Sequence, residues 1–138
     1  MKFNANRHYQ QLVRVWQHYR WEPCPLRCLP KIGYVVEGED GKFIAALFMY
    51  ASSGEVAFID WGVGSMEHNR DEIHGAFRVL FEKLKEIAKQ MGCNFIFSMS
   101  KVSAFKEILI DNGLQIAEER TTSFVFPLIN KDFDFITD

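Results

Sequence analysis

The run Phe43-Ile44-Ala45-Ala46-Leu47-Phe48-Met49 is apolar at every position, with no alternating polar residue. A strand of this kind has no face to offer water, so it belongs at the centre of a sheet with helices on both sides. Turn signals bracket it. Asp40-Gly41 precedes the run and Ser52-Ser53-Gly54 follows it, and both are residue types that let the chain reverse tightly. The β-branched and aromatic stretch 32–37 on one side and the stretch 55–63 on the other therefore read as its neighbours. An antiparallel meander over 32–64 is predicted.

Helical periodicity flanks the meander. Residues 7–19 place Leu12, Val13, Val15, Trp16 and Tyr19 on one broad face, which predicts a first helix. Pro23, Pro25 and Pro30 then forbid a regular helix over 21–31 and leave a loop or a broken turn. Asn69 and Glu72 form a capping-box pair. Beyond them Ile73, Phe77, Leu80, Leu84, Ile87 and Met91 recur at three- and four-residue steps up to Gly92, which predicts a long helix with a glycine stop. Residues 95–99 read as a short buried strand. A helix between two strands of one sheet crosses over right-handed and makes the pair parallel. A further helix is expected over 103–112, ended by Gly113 in the left-handed region and closed by Leu114. Residues 116–128 read as a final extended segment, and 130–138 as an edge strand or contact arm.

Composition narrows the function classes. A chain of 138 residues that is 48% apolar encloses one sizeable core, so a single domain over 1–138 is expected. Sixteen basic and 18 acidic residues leave a net charge of −2. That balance supplies no positive field for a nucleic-acid backbone. No apolar run approaches the roughly 20 residues that span a bilayer, and the N-terminus has no secretory h-region, which predicts a soluble cytoplasmic protein without a membrane partner. Cys24 and Cys28 have no second Cys/His pair at zinc spacing, so no metal site is expected. Cys93 is expected to be a buried thiol, Trp16 and Trp61 to be packing residues, and His8, His18 and His68 to be solvated.

The order of elements, from first helix and broken loop through meander, long helix, parallel strand and short helix to final strand, resembles the GNAT superfamily of acyl-CoA-dependent N-acyltransferases. Residues 30–37 before 40–45 resemble the family's paired strands around an acidic-Gly turn. Residues 59–63 resemble the end of its fourth strand, 88–93 the end of its cofactor helix, and 105–114 the helix before a Gly-Phe pair, here Gly113-Leu114. The resemblance covers 32–128. It implies an α/β (α+β) GNAT-like mixed sheet of about six or seven strands, an antiparallel meander plus a parallel pair splayed at a cofactor cleft and flanked by helices. Residues 1–31 would supply the first helix and an acceptor-side loop, and 69–128 the cofactor helix, fifth strand, last helix and last strand, with 129–138 as a tail.

The resemblance further implies acetyl-CoA, or another acyl-CoA, as cosubstrate and an amine of a small molecule or protein as acceptor. In the family the pantetheine pairs like an added strand beside the fourth strand, here Gly62, Val63 and Gly64, and the pyrophosphate meets amides at the next helix N-terminus. The family pattern Q/R-x-x-G-x-G/A falls here in one register on Glu72, Gly75 and Phe77, and in another on Arg70, Ile73 and Gly75. A cradle of Arg70, His74, Gly75 and Ala76 is the expectation that avoids an anion beside a pyrophosphate. Asp60 is the candidate base, and Ser98 or Ser100 can offer a hydroxyl. Leu109 stands where the family places a tyrosine acid. Trp21 and Arg27, in the broken loop, are the candidate acceptor contacts, and a homodimer is compatible with all of this. The rival reading is a non-catalytic member of the fold, kept as a binding, structural or assembly module of the kind viral genomes carry.

Overall fold

The computed structural model describes residues 1–100, 102–120 and 122–128. Helix α1 (Ala5–His18) is followed by a loop with a 3₁₀ turn (Leu26–Cys28) and by strands β1 (Ile32–Glu37), β2 (Phe43–Ala51) and β3 (Val56–Gly64). Helix α2 (Arg70–Gln90), strand β4 (Phe95–Phe97) and helix α3 (Ser103–Asp111) complete the order. The sheet runs β1-β2-β3-β4, antiparallel except for the parallel pair β3–β4. No helix among the described residues is long and apolar enough to cross a membrane.

Strand β2 is central, as its apolar run requires. Ala45, Leu47 and Met49 point to one face and join Phe77, Leu80, Phe81 and Leu84 of α2 in one core. Ala46 and Phe48 point to the other and join Leu12, Val15 and Trp16 of α1. Each helix ends by the same device. The amide of Cys93 donates to Ala88 and that of Gly92 to Lys89. Leu114 donates to Leu109 and Gly113 to Ile110, with Gly92 and Gly113 at φ of 84° and 92°, the paired bonds of a Schellman cap. Helix α1 closes identically, Trp21 to Trp16 and Arg20 to Gln17, but on a non-glycine residue, Arg20, at φ 58°.

Several expectations need correction. Among the described residues the sheet has four strands, not six or seven. Residues 116–120 and 122–128 form no strand, and Phe124, Phe126 and Leu128 stay 83–90% exposed because no sheet face receives them. The expected tail over 130–138 lies outside the described residues. Strand β4 is not buried: Phe95 is 61% exposed and Phe97 48%, because among the described residues β4 is an edge strand with β3 as its one sheet neighbour. His8 is fully buried rather than solvated. Its Nδ1 accepts the Asn4 amide and its Nε2 faces Glu37 Oε2 at 3.1 Å, so both ring nitrogens are satisfied away from water. His68 is half-buried, with Nδ1 2.8 Å from Ser65 Oγ. Cys93 is half-buried and Cys24 is the buried thiol, since Pro25 and the 3₁₀ turn fold that loop under α1.

Candidate active site

A break in β3 builds the site. Ala46 pairs with Val63 and Phe48 with Asp60, so Trp61 and Gly62 together oppose the single Leu47. This extra residue is a β-bulge. Trp61 takes φ 57° there, a left-handed conformation that costs a bulky residue energy and clusters at functional positions. The bulge keeps Asp60, Trp61 and Val63 on the α1 side, where Trp61 meets Trp16 edge-on at 6.0 Å. Meanwhile β4 pairs with β3 only from Val56 to Phe58. Strand β4 ends at Phe97, so beyond Phe58 that edge of β3 carries no β4 partner.

A cleft of about 230 Å³ opens beyond the end of β4, lined among the described residues by Trp16, Trp21, Glu22, Asp60, Trp61, Gly62, Met99, Ser100, Val102 and Phe105. Burial pushes the Asp60 carboxyl above its ordinary value, opposed by the Trp61 amide, which donates to Asp60 Oδ1 at 2.7 Å. A carboxylate held in this way is a stronger base than one in water. Phe105 packs against Phe77 at 5.5 Å and closes the floor over Gly62. Trp21 and Glu22, at the start of loop 21–31, stand at the rim. The Tyr9 hydroxyl donates to the Cys24 carbonyl and the Tyr50 hydroxyl to the Cys28 carbonyl, while Trp61 Nε1 donates to Tyr50. Cys24 is no nucleophile, because burial, then Cys28 and Asp60, push its thiol up to about 12.

Asp60, Ser100, Trp21 and Gly62, singled out from sequence, thus meet in one cleft. Ser98 and Arg27 do not line it; Arg27 is exposed on the 3₁₀ turn. Val63 turns its side chain into the α1 core, and Ala76 turns its methyl into the α2 core, so each can offer only backbone. Gly64 lies against Ile73 and Phe77 and leads from the cleft to the start of α2. There Arg70 pairs with Glu107 of α3, and His74 Nδ1 lies 3.4 Å from Asp111. Gly75 faces open space. Asn69 and Glu72 form the full capping box, with Asp71 also in the first turn. Leu109 is buried in the α2 core, so the position that would hold a tyrosine is a packing residue. Glu22, Phe105 and Tyr50 were not singled out from sequence. Glu22 alone had a signal, its place beside Trp21.

No family model matches the sequence, and no curated protein matches it. Solved structures do. An acetyltransferase of Trypanosoma brucei superposes with a TM-score of 0.64 at 15% identity, over 91% of this chain and 97% of its own. The aminoglycoside N-acetyltransferase AAC(6')-Iy, in complex with CoA, gives 0.65 at 12% over 92% and 98%. The chain has the GNAT fold. Glucosamine-6-phosphate N-acetyltransferase from Arabidopsis thaliana, at TM-score 0.60 and 12% identity over 90% and 95%, shares it. The parallel pairing of β3 with β4 agrees with the mixed sheet expected from the resemblance, whereas the first turn of α2 is self-capped and acid-bearing.

Proposed function

We propose that this chain is an N-acetyltransferase that moves an acetyl group from acetyl-CoA to a primary amine. The observation that carries the reading is Asp60, a carboxylate of raised basicity at a bulge, beside a strand edge left open by β4. Backbone along Gly62, Val63 and Gly64 would hold the pantetheine arm as an added strand. The first turn of α2, with Arg70, His74, Gly75 and Ala76, would hold the pyrophosphate. Acetyl-CoA supplies the thioester-bound acetyl group. Asp60 takes the proton that the amine nitrogen loses as its bond to the acetyl carbon forms. Ser100 Oγ, in the same cleft, or a water, gives a proton to the sulfur as its bond to that carbon breaks.

A second reading rests on a specific observation. Arg70 and His74 are already engaged by Glu107 and Asp111, and Asn69 occupies the Glu72 amide. These contacts compete with a pyrophosphate and favour a non-catalytic binding module on the same fold.

Calorimetry with acetyl-CoA, followed by a thiol-release assay with primary amines, separates the two. The enzyme reading expects saturable binding, turnover that rises with pH through the Asp60 carboxyl, and a loss of about 100-fold or more in Asp60→Asn. Gly75→Val, at a position with open space, should weaken acetyl-CoA about tenfold in a folded protein. Absence of acetyl-CoA binding leaves the module reading.

A further inference from the structure

Tyr50 on β2 ties three segments together. It pairs with Phe58 of β3, so its ring stands on the same sheet face as Asp60, two residues further along β3. Its hydroxyl donates to the Cys28 carbonyl at 2.9 Å and accepts from Trp61 Nε1 at 2.8 Å. A phenol has one proton to give and lone pairs to receive, so one oxygen serves both partners. Cys28 ends the 3₁₀ turn of the loop, and Trp61 is the first residue of the bulge. Trp61 stands at φ 57°, a conformation that a tryptophan keeps only where its surroundings over-determine it. The Trp16 ring, edge-on at 6.0 Å, and the Tyr50 hydroxyl both grip the indole.

The grip reaches Asp60 through the backbone. Strand β3 is fixed on either side of the bulge by its ladder with β2, so φ at Trp61 can relax only if ψ at Asp60 turns the other way. That counter-rotation swings the 60–61 peptide, whose N–H donates to Asp60 Oδ1 at 2.7 Å. We infer that Tyr50 is a positioning residue for Asp60: its hydroxyl, held between the Cys28 carbonyl and the Trp61 indole, keeps the 60–61 peptide turned so that the Trp61 amide stays on the Asp60 carboxylate. A consequence for catalysis rests on reading Asp60 as the base; the hold on the peptide does not. Burial raises the Asp60 carboxyl and the Trp61 amide lowers it, because a donor to a carboxylate favours the charged form. Loss of the hold leaves burial less opposed, so Asp60 should bind its proton more tightly. Facing Asp60 are Cys24 and Glu22 from the loop and Tyr50 from β2, with Trp16 of α1 and Phe105 of α3 as apolar neighbours. Burial first, and then neighbouring charge that includes Asp60, raises the Cys24 thiol to about 12 and raises the Tyr50 phenol against the Trp61 bond. Both therefore stay protonated while Asp60 titrates.

Carbon-detected NMR of the full chain, labelled at its aspartate carboxyls, follows Asp60 from about pH 3 to about pH 8, its signal assigned by its loss in Asp60→Asn. Tyr50→Phe should raise the proton affinity of Asp60 about threefold or more. Trp61→Phe removes the same hydrogen bond from its other end and should do the same, and the double variant should go no further than either single one. Tyr9→Phe releases the loop at the Cys24 carbonyl instead and should leave Asp60 as in the wild type. In the thiol-release assay, the rise of kcat/KM with pH should move to higher pH in Tyr50→Phe by the same factor. The inference is overturned if the affinity in Tyr50→Phe is unchanged or falls, if Tyr9→Phe matches it, or if the changes at the two ends of the Tyr50–Trp61 bond add. Should Tyr50→Phe fail to fold, the Trp61→Phe titration decides in its place. A shifted titration in a protein that acetylates no amine upholds the hold on Asp60 and removes the transferase reading, so the two fail separately.

Discussion

Gly62 shows how one missing side chain shapes the cleft. A Cβ placed there would stand 2.3 Å from the Phe105 ring, closer than any contact two carbons tolerate. Gly62→Ala should therefore push Phe105 off Phe77 and cost about 1–3 kcal/mol, read by urea denaturation. Pairing it with Phe105→Leu should recover part of the loss. Asp60 couples stability to chemistry with the opposite sign. Its carboxyl is raised by burial, so its contribution to stability is full below its unfolded value and is lost as pH rises through the folded one. At pH 7 the charged form is held at a cost. Asp60→Asn, which keeps an oxygen for the Trp61 amide, should melt at a higher temperature than the wild type at pH 7. The gap should close in acid below the carboxylate range. A variant that melts lower at pH 7 and higher in acid would contradict the burial argument. The aspartate's residue type pointed to this role, but its burial and its place in a bulge did not show in sequence, because a bulge depends on what β2 places opposite.

At the scale of elements, the ends of helices were partly legible. Asn69 with Glu72, Gly92 and Gly113 are residue types suited to caps, and the structure uses each of them so. Arg20 was illegible, since nothing in an arginine marks a left-handed cap. Its φ of 58° nonetheless turns the chain so that Trp21 reaches the cleft. Arg20→Gly should raise stability by about 1 kcal/mol, measured by thermal or urea unfolding. A destabilised Arg20→Gly would mean that the arginine side chain holds more than its backbone strain costs. Strand β4 was misread for a related reason. Phe95, Ile96 and Phe97 look like a buried run, yet apolar residues alone do not distinguish a central strand from an edge strand beside a bare face.

Across the whole molecule, α1 is fastened to β1 by Glu37, which accepts from Arg7 Nε at 2.8 Å and from Arg7 Nη2 at 2.9 Å while facing His8. Burial would raise the Glu37 carboxyl, but the hydrogen bonds from Arg7 and His8 outweigh it and hold the group below its usual range. Stability from this junction is present above the unfolded carboxylate value and is lost as pH falls through the folded one. Glu37→Gln should thus lower the melting temperature at pH 7, with the difference from wild type vanishing in acid; an equal deficit at all pH values would assign the loss to packing. Sequence by itself determined the central strand, the two covering helices, the caps at glycine and the parallel crossover, because periodicity, turn residues and handedness act over short stretches of chain. Only the tertiary structure decided that Asp60, Ser100 and three tryptophans from distant segments share one cleft, that β4 stands at an edge, and that Arg70 and His74 are engaged by α3. Those outcomes depend on which residues lie opposite one another across the sheet and between helices, and that opposition is set by register and packing rather than by any local run of residues.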